Sequence, residues 1–168
     1  GLPAITYALR GLVYFEFRVE ASNTDLHSGS FDGIAPNPAQ ALAEILVQLK
    51  DPNGRILIPG FYDGVRALTE DERRQFARVP FDEEETKKTY GLEALHGEPG
   101  FTPTERVWAR PTLEVPGIWG GSQGPGTKTN LPTWAADDVS SPTVQPTTPS
   151  QVPHARRDHV APDLPHTA

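Results

Sequence analysis

Residues 12–20 read Leu12-Val13-Tyr14-Phe15-Glu16-Phe17-Arg18-Val19-Glu20. Phe15, Phe17 and Val19 alternate with Glu16, Arg18 and Glu20. Side chains on a strand point to opposite faces in turn, so this stretch is a strand with one dry face and one wet face. That is the habit of antiparallel sheets. A polar loop follows, Thr24-Asp25-Leu26-His27-Ser28-Gly29, closing on Phe31-Asp32-Gly33. Then Asn37-Pro38-Ala39-Gln40 opens a helix: Asn37 caps, Pro38 takes the first turn and Gln40 completes a capping-box-like pair. Leu42, Ile45, Leu46 and Leu49 recur at i, i+3, i+4, i+7, a stripe suited to packing on a sheet. The helix runs to about Lys50 and ends at Asp51-Pro52-Asn53-Gly54.

Further along, Ile56-Leu57-Ile58 is a short extended run into Pro59-Gly60. Thr69-Glu70-Asp71-Glu72 is a second capping box, opening a helix to about Val79. Asp82 to Tyr90 reads as a third helix, its acids early and Lys87 and Lys88 late, as the helix dipole favours. Those charges form a solvated face. Residues 91–105 read as loop. Trp108 to Trp119 reads as extended, with Pro111 and Pro116 pushing it towards an edge or a break. Gly120 to Gly126 is a turn, and Thr127 to Leu131 starts another strand. Residues 133–168 contain six Pro, many Thr and Ser, and little bulky apolar surface. Such a segment buries too little to offset its ordering entropy, so a disordered Pro/Thr-rich tail is expected there.

The 168 residues carry a net charge of −7, with scattered Lys and Arg, which argues against a surface that tracks phosphates. No apolar run approaches the roughly 18 residues of a membrane span. With no Cys there are no disulfides and no thiolate ligands or nucleophiles. Met is absent too, even at position 1, so the sequence is expected to begin inside a longer reading frame.

Among candidate reactive groups, His27 comes first. A His in a loop is most often a surface residue, and Asp25 and Ser28 beside it are too near in sequence to form a triad with it. The five histidines, His27, His96, His154, His159 and His166, show no metal-ligand spacing, so no preformed metal site is expected. Gly121-Ser122-Gln123-Gly124-Pro125-Gly126-Thr127-Lys128-Thr129 approaches a phosphate loop but has one residue too many before the Lys. Asn130-Leu131-Pro132 is also a poor helix start, and a phosphate loop needs a helix N-terminus. Tyr14, Phe15, Phe17, Trp108 and Trp119 are expected in strands and core, since base-stacking aromatics would be interleaved with basic residues.

An ordered set of stretches resembles one family. It comprises Thr6-Tyr7-Ala8-Leu9-Arg10-Gly11, Asp25-Leu26-His27-Ser28-Gly29, Asn37-Pro38, Ile56-Leu57-Ile58-Pro59-Gly60, Pro80-Phe81-Asp82, Trp108 with Pro111-Thr112-Leu113, Gly117-Ile118, and Gly126-Thr127-Lys128-Thr129-Asn130-Leu131-Pro132. Together they resemble the lid or dimerisation domain of the zinc metallopeptidases that include cytosolic dipeptidases, carnosinases, succinyl-diaminopimelate desuccinylase and acetylornithine deacetylase. The likeness covers about residues 3–132 and is greatest to the dipeptidase and carnosinase branch. It implies an α+β fold, an antiparallel sheet with two or three helices on one face, occupying residues 1–132, with the tail at 133–168. It implies a homodimer formed through the lid, a cytoplasmic location, a dipeptide substrate, and two zinc ions in a catalytic domain that also carries the general base. His27 would contact substrate in the partner's active site and help stabilise the oxyanion of the tetrahedral intermediate. Thr129 would also approach substrate, on a loop set by Gly117, Gly120 and Gly126, while Asp25 and Ser28 would shape the loop of His27.

The family's metal ligands and general-base Glu have no counterpart among these residues. After Pro132 the pattern stops, and Pro142 stands where the family's substrate-binding Arg is expected. A frameshift or truncated gene would produce such a break. It would leave a sheet neighbour unpaired and the domain less stable. The chain alone is then expected to be inactive. The alternative is an orphan dimerisation or interaction module with no catalytic role.

Overall fold

The computed structural model describes residues 9–143. In chain order the elements are β1 (Gly11–Glu20), β2 (Leu26–His27), α1 (Ser28–Phe31), α2 (Pro38–Gln48), α3 (Glu70–Ala77), α4 (Glu83–Tyr90), α5 (Pro103–Ala109), β3 (Glu114–Gly120), β4 (Asn130–Leu131) and β5 (Trp134–Thr143). They fall into two compact units. A sheet unit comprises residues 13–49 and 113–141. A helical unit comprises residues 50–112 with the described residues 9–12 and 142–143.

In the sheet unit the long strands lie in the order β1-β5-β3. β3 and β5 are antiparallel, with Ile118 opposite Asp137 and Gly120 opposite Ala135. β1 also runs against β5, because Ala21, just past the end of β1, donates its N–H to the carbonyl of Thr133, just before β5, at 2.9 Å. Along β1, Val13, Phe15, Phe17 and Val19 are half-buried while Tyr14, Glu16, Arg18 and Glu20 are exposed, as the alternation dictates. Arg18 lays its guanidinium over the Trp134 ring, 4.2 Å from the centroid. Gly120, at φ +136°, lets β3 close on β5: a Cβ there would stand 2.7 Å from the Ala135 Cα.

The helix α2 forms as its sequence requires. The Asn37 side chain accepts from the amides of Ala39 at 3.0 Å and Gln40 at 3.4 Å. Leu42, Ile45 and Leu49 are buried. Full burial of such a side chain contributes about 1.5–3 kcal/mol, against about 1 kcal/mol for a cap. The stripe therefore holds α2 in place, and the cap sets where it starts.

Two expectations are corrected in the sheet unit. The unstructured tail was to begin at 133, with a sheet strand lost. Instead Trp134–Thr143 is β5, the central strand, with Ala135, Ala136, Asp137, Val139 and Ser141 buried. A strand paired on both sides is specified by its neighbours more than by its own alternation, which is why Ala, Asp and Ser were misleading here. The break after Pro132, and the unpaired neighbour it implied, are not found. Pro142, with no N–H for a ladder, stands one residue before the strand ends, and its carbonyl accepts from the Thr112 amide at 3.0 Å. Residues 144–168, the rest of the expected tail, lie outside the described residues.

The helical unit holds three helices. α3 begins at the expected cap, Thr69, and α4 follows Asp82, which caps it rather than opening its first turn. The third, α5, corrects the reading of 91–105 as loop and of Trp108 as extended. Thr102 Oγ1 accepts from the Glu105 amide at 3.3 Å, and Glu105 accepts the Thr102 N–H at 2.7 Å, with Pro103 in the first turn. Five helices thus form among the described residues, where the resemblance implied two or three on one face of the sheet. Phe76 of α3 meets Trp108 of α5 edge to face, 5.7 Å between centroids.

The apolar core of this unit is small: Ile56, Ile58 and Phe61. Charged and aromatic groups complete it. Arg55 lies 4.8 Å from the centre of the Tyr62 ring, and Arg110 lies 5.1 Å from Tyr62 and 4.3 Å from Phe101. Arg73 lies 5.3 Å from Phe101. Each guanidinium also finds a carboxylate. Arg110 donates twice to the buried Glu98, at 2.8 and 2.9 Å, Arg55 donates to Glu98 at 3.3 Å, and Arg73 to the buried Glu105 at 3.0 Å. The Tyr62 hydroxyl accepts from the Ile56 amide at 3.1 Å, and burial pushes its phenol above the ordinary value.

Candidate functional site

The polar loop after β1 closes onto the segment before β5. Leu26 pairs with Leu131 and His27 with Asn130, the short antiparallel ribbon β2–β4. Neighbouring residues on a strand face opposite sides, and directly opposed residues share a side. Leu131 is buried and Leu26 half-buried, so that side faces inward; His27 and Asn130 share the other side and are both exposed. The alternation that buries two leucines is therefore what presents His27.

Backbone contacts hold both flanks of His27. The Ser28 amide donates to the Thr129 carbonyl at 2.8 Å. The Thr133 amide donates to Asp25 Oδ1 at 3.1 Å. Immediately after His27 comes the single turn α1, where Asp32 N–H reaches the Ser28 carbonyl at 2.9 Å. Gly29 sits in that turn beneath the imidazole: a Cβ on it would meet His27 Cε1 at 2.8 Å and Nδ1 at 3.1 Å.

The two residues singled out in the sequence, His27 and Thr129, are thus brought together although 102 positions apart (129 − 27). Thr129 is exposed and leads directly into β4. Asn130, which sequence reading passed over, is the residue opposite His27. Only the pairing register reveals it, since nothing in the sequence fixes which residue of the 127–131 run faces 27. The preceding glycine-rich stretch, residues 121–129, is exposed and is followed by a strand rather than a helix. The phosphate-loop arrangement, which needs a helix N-terminus there, is not formed.

This site offers an imidazole, a hydroxyl and a carboxamide on an open surface. Such groups can donate or accept hydrogen bonds to a peptide carbonyl or carboxylate. They do not fit a metal: among the described residues, no three His, Cys, Asp or Glu gather into a group that could hold one. His96 lies in the helical unit, and His154, His159 and His166 lie outside the described residues. Among the described residues no helix is long and apolar enough to cross a membrane.

Comparison with known proteins agrees with this architecture. The family described as the peptidase dimerisation domain matches residues 7–168. The chain is 36% identical over 159 residues to the Cys-Gly metallodipeptidase dug1 of Schizosaccharomyces pombe, covering 94% of this chain and 33% of that protein. It is 38% identical over 130 residues to the Beta-Ala-His dipeptidase of Homo sapiens, covering 77% and 26%. The crystal structure of human carnosine dipeptidase 1 superposes with a TM-score of 0.80 or better, at 0.82, with 34% identity, over 94% of this chain and 34% of that one. The chain spans about a third or less of the length of these relatives. The family match over residues 7–168, with these identities, shows that the chain belongs to the peptidase dimerisation domain family, and the relatives named here are dipeptidases.

Proposed function

We propose that this chain serves as the dimerisation domain of a zinc-dependent dipeptidase in the cytoplasm, pairing as a homodimer. His27 of one subunit reaches the active site of the other, contacts the dipeptide and donates to the oxyanion that forms as the peptide carbonyl is attacked. Thr129 contacts the substrate beside it. The zinc ions and the general base of such an enzyme belong to its catalytic domain. The observation that carries this reading is the β2–β4 ribbon, which presents His27 and the Thr129 segment together on an open face. An oxyanion donor must be fixed before the charge develops, and a residue held by backbone pairing meets that need.

Two experiments test it. Sedimentation of the purified chain should give a dimer; a monomer at every concentration up to the millimolar range overturns the assembly. In a chimaera in which this chain replaces the matching third of the fission-yeast dipeptidase, subunits carrying His27→Ala should be mixed with subunits lacking a metal ligand. Hydrolysis restored by mixing two inactive parents supports action across the dimer. No restoration, with heterodimers present, overturns it.

A further inference from the structure

We propose that Asp25 is a positioning residue for His27, acting through the backbone of Thr133. The proposal rests on His27 being the substrate-contacting group, but it concerns how the ring is held, which can be measured without catalysis. His27 is exposed, its ring lies over Gly29, and β2 is only two residues long. Its place must come from what flanks it. Thr133 receives the turn that leads to His27 at both ends. Its carbonyl accepts from Ala21 at 2.9 Å and its amide donates to Asp25 Oδ1 at 3.1 Å. Residues 21–25 are thereby closed into a loop on one residue, and the Ser28 amide on the Thr129 carbonyl closes the far side.

The Asp25 bond differs from the others in kind. It ties the loop to Thr133 through a side chain and is charge-assisted, a carboxylate accepting an amide proton, whereas the other side-chain bond here, Ser22 Oγ to the Thr24 carbonyl at 2.8 Å, stays within the loop. Its loss would free the residues just before His27 while leaving β1 and α2 untouched. Gly29 supplies the space: the imidazole rests where a Cβ on residue 29 would crowd it, 2.8 Å from Cε1, so a shift of residues 25–27 lifts the ring off Gly29.

The test uses the full chain, isotopically labelled, with Asp25→Ala and Asp25→Asn. In the parent a through-space signal is expected between His27 Hε1 and the Gly29 Hα protons, with slow exchange of the Thr133 amide. Asp25→Ala should abolish that signal and speed Thr133 exchange roughly tenfold or more, the scale of a lost bond to a charged acceptor. Asp25→Asn retains a side-chain carbonyl and should restore the signal. Retention of the signal in Asp25→Ala overturns the proposal, as does its loss in both variants. Unfolding of residues 13–141 in Asp25→Ala also overturns it, because an anchor acting only on the loop leaves the sheet intact. The outcome is independent of whether the chain dimerises or serves a dipeptidase.

Discussion

His27 stands directly opposite Asn130, one residue beyond Thr129, on the exposed side of a two-residue ribbon. Their partners one step along, Leu26 and Leu131, face the opposite way. The position is thus paired in its backbone and open at its tip, as the proposed role across the dimer requires. In the chimaeric dipeptidase described above, His27→Ala should lower kcat/KM by about 10²–10³-fold, the usual loss for one oxyanion donor. The melting temperature should barely move, since exposed substitutions typically stay within about 0.5 kcal/mol. Steady-state kinetics beside a thermal melt separates the two; equal loss of both would show a structural role instead.

Gly120→Ala should destabilise the chain by about 2–4 kcal/mol. The new methyl would meet the Ala135 backbone, which cannot swing away as a side chain can, and φ +136° is strained for any L side chain. Urea denaturation measures this, and a cost below about 1 kcal/mol would mean that β3 and β5 can separate locally without penalty.

The Glu98 carboxylate holds Arg110 by two bonds in a buried setting, whereas Arg18 and Glu20 pair in the open. Glu98→Ala should therefore cost about 2–4 kcal/mol by leaving the part-buried Arg110 guanidinium without its carboxylate, somewhat less than for a fully buried pair. Glu20→Ala should cost under about 1 kcal/mol and lose even that in high salt. The same denaturation series compares them.

Glu72 carries a pH dependence of known sign. Hydrogen bonds from Arg66 and from the Thr69 amide hold its carboxyl down at about 2, from an ordinary 4.5. A carboxyl with a lowered folded value contributes stability that is full above the unfolded value and fades as pH falls from about 5 towards 2. The pair is at the surface, so the contribution is modest and screened by salt. Thermal melts of the parent should show this decline at low salt, and Glu72→Gln should flatten it; parallel curves would remove Glu72 as its source.

Much of the sheet unit was legible because local and tertiary signals agreed. The alternation of β1, the Asn37 cap and the Leu42–Ile45–Leu49 stripe all describe faces the structure buries. β5 was not legible, because Ala135, Ala136, Asp137 and Ser141 lack strand character and are extended only by pairing on both edges. Its tail-like composition continues past 143 and hid the boundary. The α5 helix was legible in principle: Thr102-Pro103-Thr104-Glu105 is the same signal that revealed α3. The alternation of Leu113 and Val115 drew the extended reading back to Trp108 and obscured it. At the site, the motif around His27 pointed to the loop, but the identity of its neighbour, Asn130, depends on a register that only the folded ribbon defines.

The central place of β5 sets an order of events during synthesis. β1 and β3 do not neighbour each other; both wait for the strand between them, and among the described strands that one is made last. At cellular elongation rates the interval between Glu20 and Trp134 leaving the ribosome amounts to roughly 6–23 seconds. Through that time Phe15, Phe17 and Val19 lie on a strand with no partner, a lure for chaperones and for other nascent copies. A chain that ends before β5 could still pair β2 with β4, but β1 and β3 would have no strand between them, so completion of β5 is the moment at which the three-stranded sheet comes into being.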